Sequence, residues 1–129
     1  MANRDIVSNI VVISVLAMNV STEGSVNGSS VDTADFGEGV GFFLNVTGTG
    51  VFDVSLEESD DDATFTAVAS EKLIGSASQS DTLAAGSPMP KVGAFSTKRY
   101  VRPVLTSVGE VVSADVTIDA VLAGEYLPT

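Results

Sequence analysis

The stretch VSADVTIDAVL, residues 112–122, decides the fold class. Apolar and polar side chains alternate along it, and its apolar positions share one face: Val112, Ala114, Val116, Ile118, Ala120 and Leu122. Successive side chains of a β-strand point to opposite faces, so this spacing is typical of a strand with one face in a core and the other in water. Helical periodicity is nearly absent from the rest of the chain.

The same alternation recurs upstream of this stretch. Residues 40–46 (VGFFLNV) and 52–57 (FDVSLE) each place apolar side chains at every second position. Between such runs lie clusters of Gly, Ser, Asn and Asp, which are the residues of turns. Short strands separated by turns favour an all-β fold, an antiparallel β-sandwich or barrel. We expect a single domain over residues 10–129, preceded by an N-terminal arm at residues 1–9 that is ordered only if something holds it.

The apolar stretch from Ile6 to Val20 precedes these strands. It is short for a bilayer span, and Asp5 cancels the charge of Arg4 that a signal peptide would need. We therefore expect an N-terminal strand buried on both faces rather than a leader. Within it, Ile10–Val20 is apolar on both faces, which is more apolar surface than a small core needs, so part of this strand is expected to lie under another subunit.

Three local patterns give further expectations. Gly109 and Glu110 predict a hairpin between a strand at Val104–Val108 and the one at Val111–Leu122. Residues Ser70–Ile74 have the length of one helical turn. Residues Gly75–Pro90 are rich in Ser, Ala and Gly and are expected to form a long loop, either functional or ordered by a partner.

Composition excludes several functions. The 129 residues include 17 acidic and 6 basic side chains, a net charge of −11, and no Cys, His or Trp. Without Cys and His, most transition-metal and haem sites lack their ligands, and a Cys nucleophile or a His general base is impossible. Strong negative charge disfavours nucleic acid and anionic membranes as partners. We expect no enzyme activity and no cofactor.

The densest charge lies at residues 53–62, where six side chains are acidic. Calcium binds clustered carboxylates, but the spacing lacks the alternating Asp pattern and the Gly of a calcium loop. The preferred interpretation is a hairpin turn joining Phe52–Glu58 to Thr64–Ala69, in which Asp side chains accept hydrogen bonds from backbone amides.

Four of the six basic residues lie within twelve positions: Lys91, Lys98, Arg99 and Arg102. They could form a docking patch for an acidic protein surface or a neighbouring subunit. They could equally neutralise the chain's own acidic turns. The sequence does not separate these interpretations.

The order of segments resembles a family of small virion structural proteins of tailed bacteriophages, of the capsid decoration, or cement, type. The resemblance lies mainly in the LEESDD and TFTAV segments (residues 56–61 and 64–68) and in KRYVR (residues 98–102). It implies a jelly-roll-like sandwich that assembles as a homotrimer on the outer capsid surface. Residues Asp62-Ala63, and the tail after Gly124, depart from the family pattern.

The resemblance implies a function and partners. The expected function is to bind the assembled head and to stabilise it by bridging capsid subunits, with the major capsid protein and further copies of this chain as partners. The candidate contact residues are Arg4, Ile6, Ile10, Val12, Lys98, Arg99 and Arg102. The alternatives are a tail or head–tail connector component, and a calcium-dependent ligand-binding β-sandwich.

Overall fold

The computed structural model describes residues 10–34, 36–95, 97–108 and 113–124. These residues form ten strands and one 3₁₀ turn, at Ser70–Lys72. The strands are β1 (Ile10–Val20), β2 (Gly24–Asn27), β3 (Val31–Asp32), β4 (Phe36–Thr49), β5 (Val51–Ser59), β6 (Thr66–Ala67), β7 (Leu73–Ser80), β8 (Lys91–Ala94), β9 (Tyr100–Ser107) and β10 (Ser113–Gly124). The all-β prediction and the helical turn near residue 70 are confirmed.

All strand pairs are antiparallel, and the strands form one curled sheet in the order β1-β10-β4-β8-β7-β5-β9-β2. Strand β7 turns the corner of this sheet. Its first half, Leu73–Ser76, pairs with β8, and its second half, from Ala77 to Ser80, pairs with β5. The sheet therefore folds into two layers: β1, β10, β4 and β8 in the first, and β5, β9 and β2 in the second. This is the antiparallel sandwich that the alternating patterns predict.

The apolar rows seen in the sequence form the core. In the first layer Phe42, Leu44 and Val46 lie opposite Ala120, Ile118 and Val116 on β10, and all six are buried. The second layer contributes Phe52, Val101 and Leu105, which are also buried. A single apolar cluster thus fills the space between the layers, as hydrophobic burial requires.

The expected long loop at residues 75–90 is wrong in its first part, because β7 continues to Ser80. The inward positions of this half are Ala77 and Gln79, both buried. A small residue and a polar one give no apolar alternation, so the strand could not be recognised from its pattern. The extended conformation of β7 depends instead on hydrogen bonds that its backbone and side chains make with other parts of the folded chain.

The expected hairpin between the last two strands is also wrong. Strand β9 pairs with β2, β3 and β5, whereas β10 pairs with β1 and β4 in the other layer. Each of the two strands therefore already has neighbours on both edges. The connecting residues 109–112 lie outside the described part of the chain.

Candidate functional site

The N-terminal strand was expected to be buried on both faces, and this is wrong. Val15 and Val20 of β1 are buried, but Val11, Ile13 and Met18 are each more than a third exposed. The reason is position: β1 is the last strand of the first layer and, among the described strands, pairs with β10 alone. We call Val11, Val12, Ile13 and Met18 the apolar edge.

Val12 is one of the contact residues predicted near the N-terminus, and its side chain is 62% exposed. It points away from the core, because its register partner is Val121 on the outer face of β10. Ile10 begins β1 opposite Ala123. Arg4 and Ile6 lie outside the described residues.

The predicted basic contact residues lie at the second layer and pair with the chain's own acids. The guanidinium of Arg99 donates to both carboxylate oxygens of Asp32, at 2.9 and 2.8 Å. Arg102 donates to Glu57 at 2.8 to 2.9 Å, and Lys98 lies 3.6 Å from Asp60. The structure thus favours internal neutralisation over a free positive patch, and a partner contact of these residues stays a prediction.

The Arg99 pair has a pH-dependent consequence. Hydrogen bonds from the Arg99 guanidinium, and then from the backbone N–H of Ala34, lower the pKa of Asp32 from 3.8 to about 2. A carboxyl whose pKa is depressed by folding stabilises the fold above its unfolded pKa. This contribution is lost as the pH falls from about 4 towards about 2.

Replacing Asp32 with asparagine is therefore expected to lower the melting temperature near neutral pH but not near pH 2. The measurement is thermal unfolding of wild type and Asp32→Asn across this range. Asp53→Asn, at an exposed position of β5, is the matched control. A difference between wild type and Asp32→Asn that persists at the lowest pH would show that the ionised carboxylate is not its source.

The acidic hairpin has the predicted form. Strand β5 pairs with β6 through Glu57 with Ala67 and Glu58 with Thr66. Between them Asp61 accepts hydrogen bonds from the backbone N–H groups of Thr64 and Ala63, both at 3.0 Å, which lower its pKa from 3.8 to about 2.

No three acidic side chains of the described residues come together in a group that could hold a metal ion. Nor do those residues include a helix of the length and apolar character that a membrane crossing requires.

A second surface was not singled out by the sequence. On the outer face of the first layer, one cross-strand row consists of Val12, Val121, Gly41, Gly93 and Ile74, in that order across five strands. The row beside it contains Asp119, Phe43 and Lys91. Ile74 is 63% exposed. A groove of about 510 Å³ lies on this face, between Gly41, Phe43 and Gly93 on one side and Met89 and Pro90 on the other. We call Gly41, Phe43, Ile74, Lys91, Gly93, Asp119 and Val121 the flat face.

The sequence carried one usable signal for the flat face. Gly41 and Gly93 both lie inside strands, where glycine is unfavourable and often marks a close approach of another backbone. Their adjacency, however, depends on the pairing of β4 with β8, which are some fifty positions apart in the chain and cannot be matched by local pattern.

No protein-family model matches the chain, and no similar sequence was found among curated proteins. Solved structures do share its fold. The PBSX exported protein XepA matches with a TM-score of 0.63 and 10% identity over 92% of this chain, and VP2 of infectious bursal disease virus with 0.50 and 11% over 89%. The chain spans 39% and 32% of those two chains respectively. The SPBc2 prophage-derived protein YomS matches with a TM-score of 0.49 and 11% identity over 89% of this chain and 93% of its own.

Proposed function

We propose that this chain is a structural protein of a tailed bacteriophage virion, which binds the outer surface of the assembled head and stabilises it by bridging capsid subunits. Its partners are the major capsid protein and other copies of itself on the head, where the family resemblance implies a trimer. No catalytic step belongs to this function.

The observation that carries the proposal is the free edge of β1, which the described residues cover at one point only, Val15. Proteins usually guard a long edge strand with charges or proline, because its free N–H and C=O groups pair readily with other chains. The eleven residues of β1 include neither. Its guards among the described residues are a register shift between Ser14 and Leu16 and one hydrogen bond, from the Ser29 N–H to the Val15 carbonyl at 2.8 Å.

Exposed apolar side chains accompany this edge. Four residues of the apolar edge are exposed in a protein that otherwise carries a net charge of −11. On soluble proteins, large exposed apolar patches mark interaction sites. A capsid subunit that pairs with β1 and covers the apolar edge would satisfy both its backbone and its side chains.

The fold is consistent with this function. A comparable sandwich occurs in XepA of PBSX and in VP2 of a virus, although likeness at this level of identity concerns the fold alone. A protein that binds only the assembled shell stabilises that shell by mass action.

The test is to add the purified protein to bare, expanded heads of its phage. We expect saturable binding and a higher temperature of head disruption. Val12→Lys is expected to weaken binding by about tenfold or more, since it places a charge on a covered apolar strand. The protein should fold as before, because Val12 is 62% exposed.

The control is Val51→Lys, at an exposed position of β5. It should bind heads as well as wild type. Absence of binding to heads, or binding without a change in disruption temperature, would contradict the proposal. Binding to purified tails or connectors instead would favour the tail or head–tail alternative.

A further inference from the structure

Two glycines of the flat face are not explained by the fold of a single chain. A Cβ atom at Gly41 would meet nothing closer than Phe43 Cε1, at 3.9 Å. At Gly93 it would meet the Val40 carbonyl oxygen at 3.4 Å, which is ordinary contact. Gly48 differs, since a Cβ there would lie 2.4 Å from the Ser113 carbonyl oxygen.

The two glycines are register partners on neighbouring strands. They leave a strip of the outer face without side chains, bordered by Phe43 and by Met89 of the groove. Glycine lowers the stability of a strand, and among the described residues no close contact requires it at either position. Such a strip leaves room for a side chain of a packed partner.

The charges of the flat face are arranged symmetrically about the same strand. Phe43 on β4 pairs in register with Asp119 on β10 to one side and with Lys91 on β8 to the other. The acid and the base are two strand spacings apart, about 10 Å. Neither of them takes part in the ion pairs found among the described residues.

We propose that a second copy of this chain packs face to face on the flat face, about a two-fold axis that is parallel to β4 and lies midway between the two sheets. This rotation places β10 of one subunit over β8 of the other, and each residue keeps its position along the strand direction. Lys91 then faces Asp119 of the partner subunit, and Asp119 faces Lys91 of the partner subunit. The surface is thus complementary to itself in charge, as an isologous contact requires.

The same rotation matches the shapes. Gly41 meets Gly41 of the partner subunit near the axis, and Gly93 receives Val121 of the partner subunit. Phe43 packs beside its counterpart. Because stacked sheets cross at about 30°, the match is best on the three central strands β10, β4 and β8.

This contact does not rest on the proposed function, because it forms between copies of the purified protein without capsids. It is centred on β4 rather than on the edge strand β1. Of the apolar edge, Val12 lies at the end of the same outer row, whereas Val11, Ile13 and Met18 pair with the buried residues Leu122, Ala120 and Val116 and so lie towards the inner side of the sheet. A two-fold contact alone gives a dimer, whereas the family resemblance implies a trimer, so the mass in solution separates the two.

The experiment is sedimentation equilibrium of the full chain over a range of concentrations. We expect a reversible dimer of twice 13.2 kDa. Asp119→Lys and Lys91→Asp should each raise the dimer dissociation constant by about tenfold or more, because each places like charges opposite one another at two symmetric positions. The double variant, Asp119→Lys with Lys91→Asp, should restore it to near the wild-type value.

A steric variant tests the glycines. Gly41→Val should leave the melting temperature of dilute protein unchanged or higher, because there is room for its Cβ and valine favours strands, and it should abolish the dimer. Ser55→Val, an exposed position on β5 in the second layer, is the control and should dimerise normally. A monomer at all concentrations, or a trimer, would overturn the proposal. So would a dimer that persists in Gly41→Val, together with single charge variants whose dimerisation the double variant does not restore.

Discussion

Replacing Phe42 with alanine is expected to lower the free energy of unfolding by about 3–5 kcal/mol. Phe42 is completely buried and is among the largest of the fully buried side chains. It lies opposite Ala120, which is also fully buried and too small to fill the space that the ring would leave. The loss combines the transfer free energy of the ring with the cost of a cavity. Since a domain is stabilised by about 5–15 kcal/mol in total, this variant should be close to unfolding.

The neighbouring residue is the control. Phe43 has the same side chain on the same strand but points to the outer face, where it is half-buried. Phe43→Ala should cost about 1 kcal/mol or less when measured by denaturant unfolding of dilute, monomeric protein. Equal losses for the two variants would contradict the assignment of Phe42 to the core and Phe43 to the flat face.

These two phenylalanines also indicate how far the sequence predicts the structure. The alternation in VGFFLNV already separates them into opposite faces, and the structure confirms this. Strands β4, β5 and β10 were predictable for the same reason: one face meets the core and the other meets water. The acidic hairpin followed from turn chemistry that acts over a few residues.

The misplaced elements depend on tertiary context. The sequence of β1 is apolar on both faces, but no local pattern indicates that it lies at the end of the sheet, next to β10 alone among the described strands. Strands β9 and β10 are consecutive in the sequence, whereas each pairs with strands that are distant in the sequence. The flat face likewise arises only when Gly41, Gly93 and Asp119 are brought together by pairing across the chain.

Strand β7 is the most instructive failure because its position is fixed by a buried polar side chain. Gln79 is 4% exposed. Its Oε1 accepts a hydrogen bond from the Val46 N–H at 3.1 Å, and its Nε2 donates to the Val46 carbonyl at 2.9 Å and to the Asp81 carbonyl at 2.8 Å. The pairing of β8 with β4 ends at Phe43, so Val46 lies beyond it. The Gln79 side chain therefore makes the hydrogen bonds to Val46 that a neighbouring strand would otherwise make.

Replacing Gln79 with leucine is therefore expected to cost about 2–5 kcal/mol, because the buried N–H and C=O of Val46 would both lose their partner. Ser78→Ala, at the exposed position beside it, should be nearly neutral. Denaturant unfolding measures both. A loss no greater than that of Ser78→Ala would show that water replaces the amide without penalty.

The variant Gln79→Glu separates hydrogen bonding from packing, because it keeps the size of the side chain. An ionised carboxylate can accept from the Val46 N–H but cannot donate to the carbonyls of Val46 and Asp81, so those two acceptors would face a negative charge. Burial beside them should raise the pKa of the introduced carboxyl above its unfolded value of about 4.3. The destabilisation is then largest above the pKa of the folded state. It decreases as the pH falls towards the pKa of the unfolded state, where the protonated acid can donate one hydrogen bond.

The free energy of unfolding of Gln79→Glu, relative to wild type, should therefore be lower at about pH 7 than at about pH 4.5, while the deficit of Gln79→Leu should not change between these pH values. A deficit of Gln79→Glu that is equal at the two pH values would mean that the carboxylate reaches solvent, and that the amide of Gln79 does not hold β7 against β4.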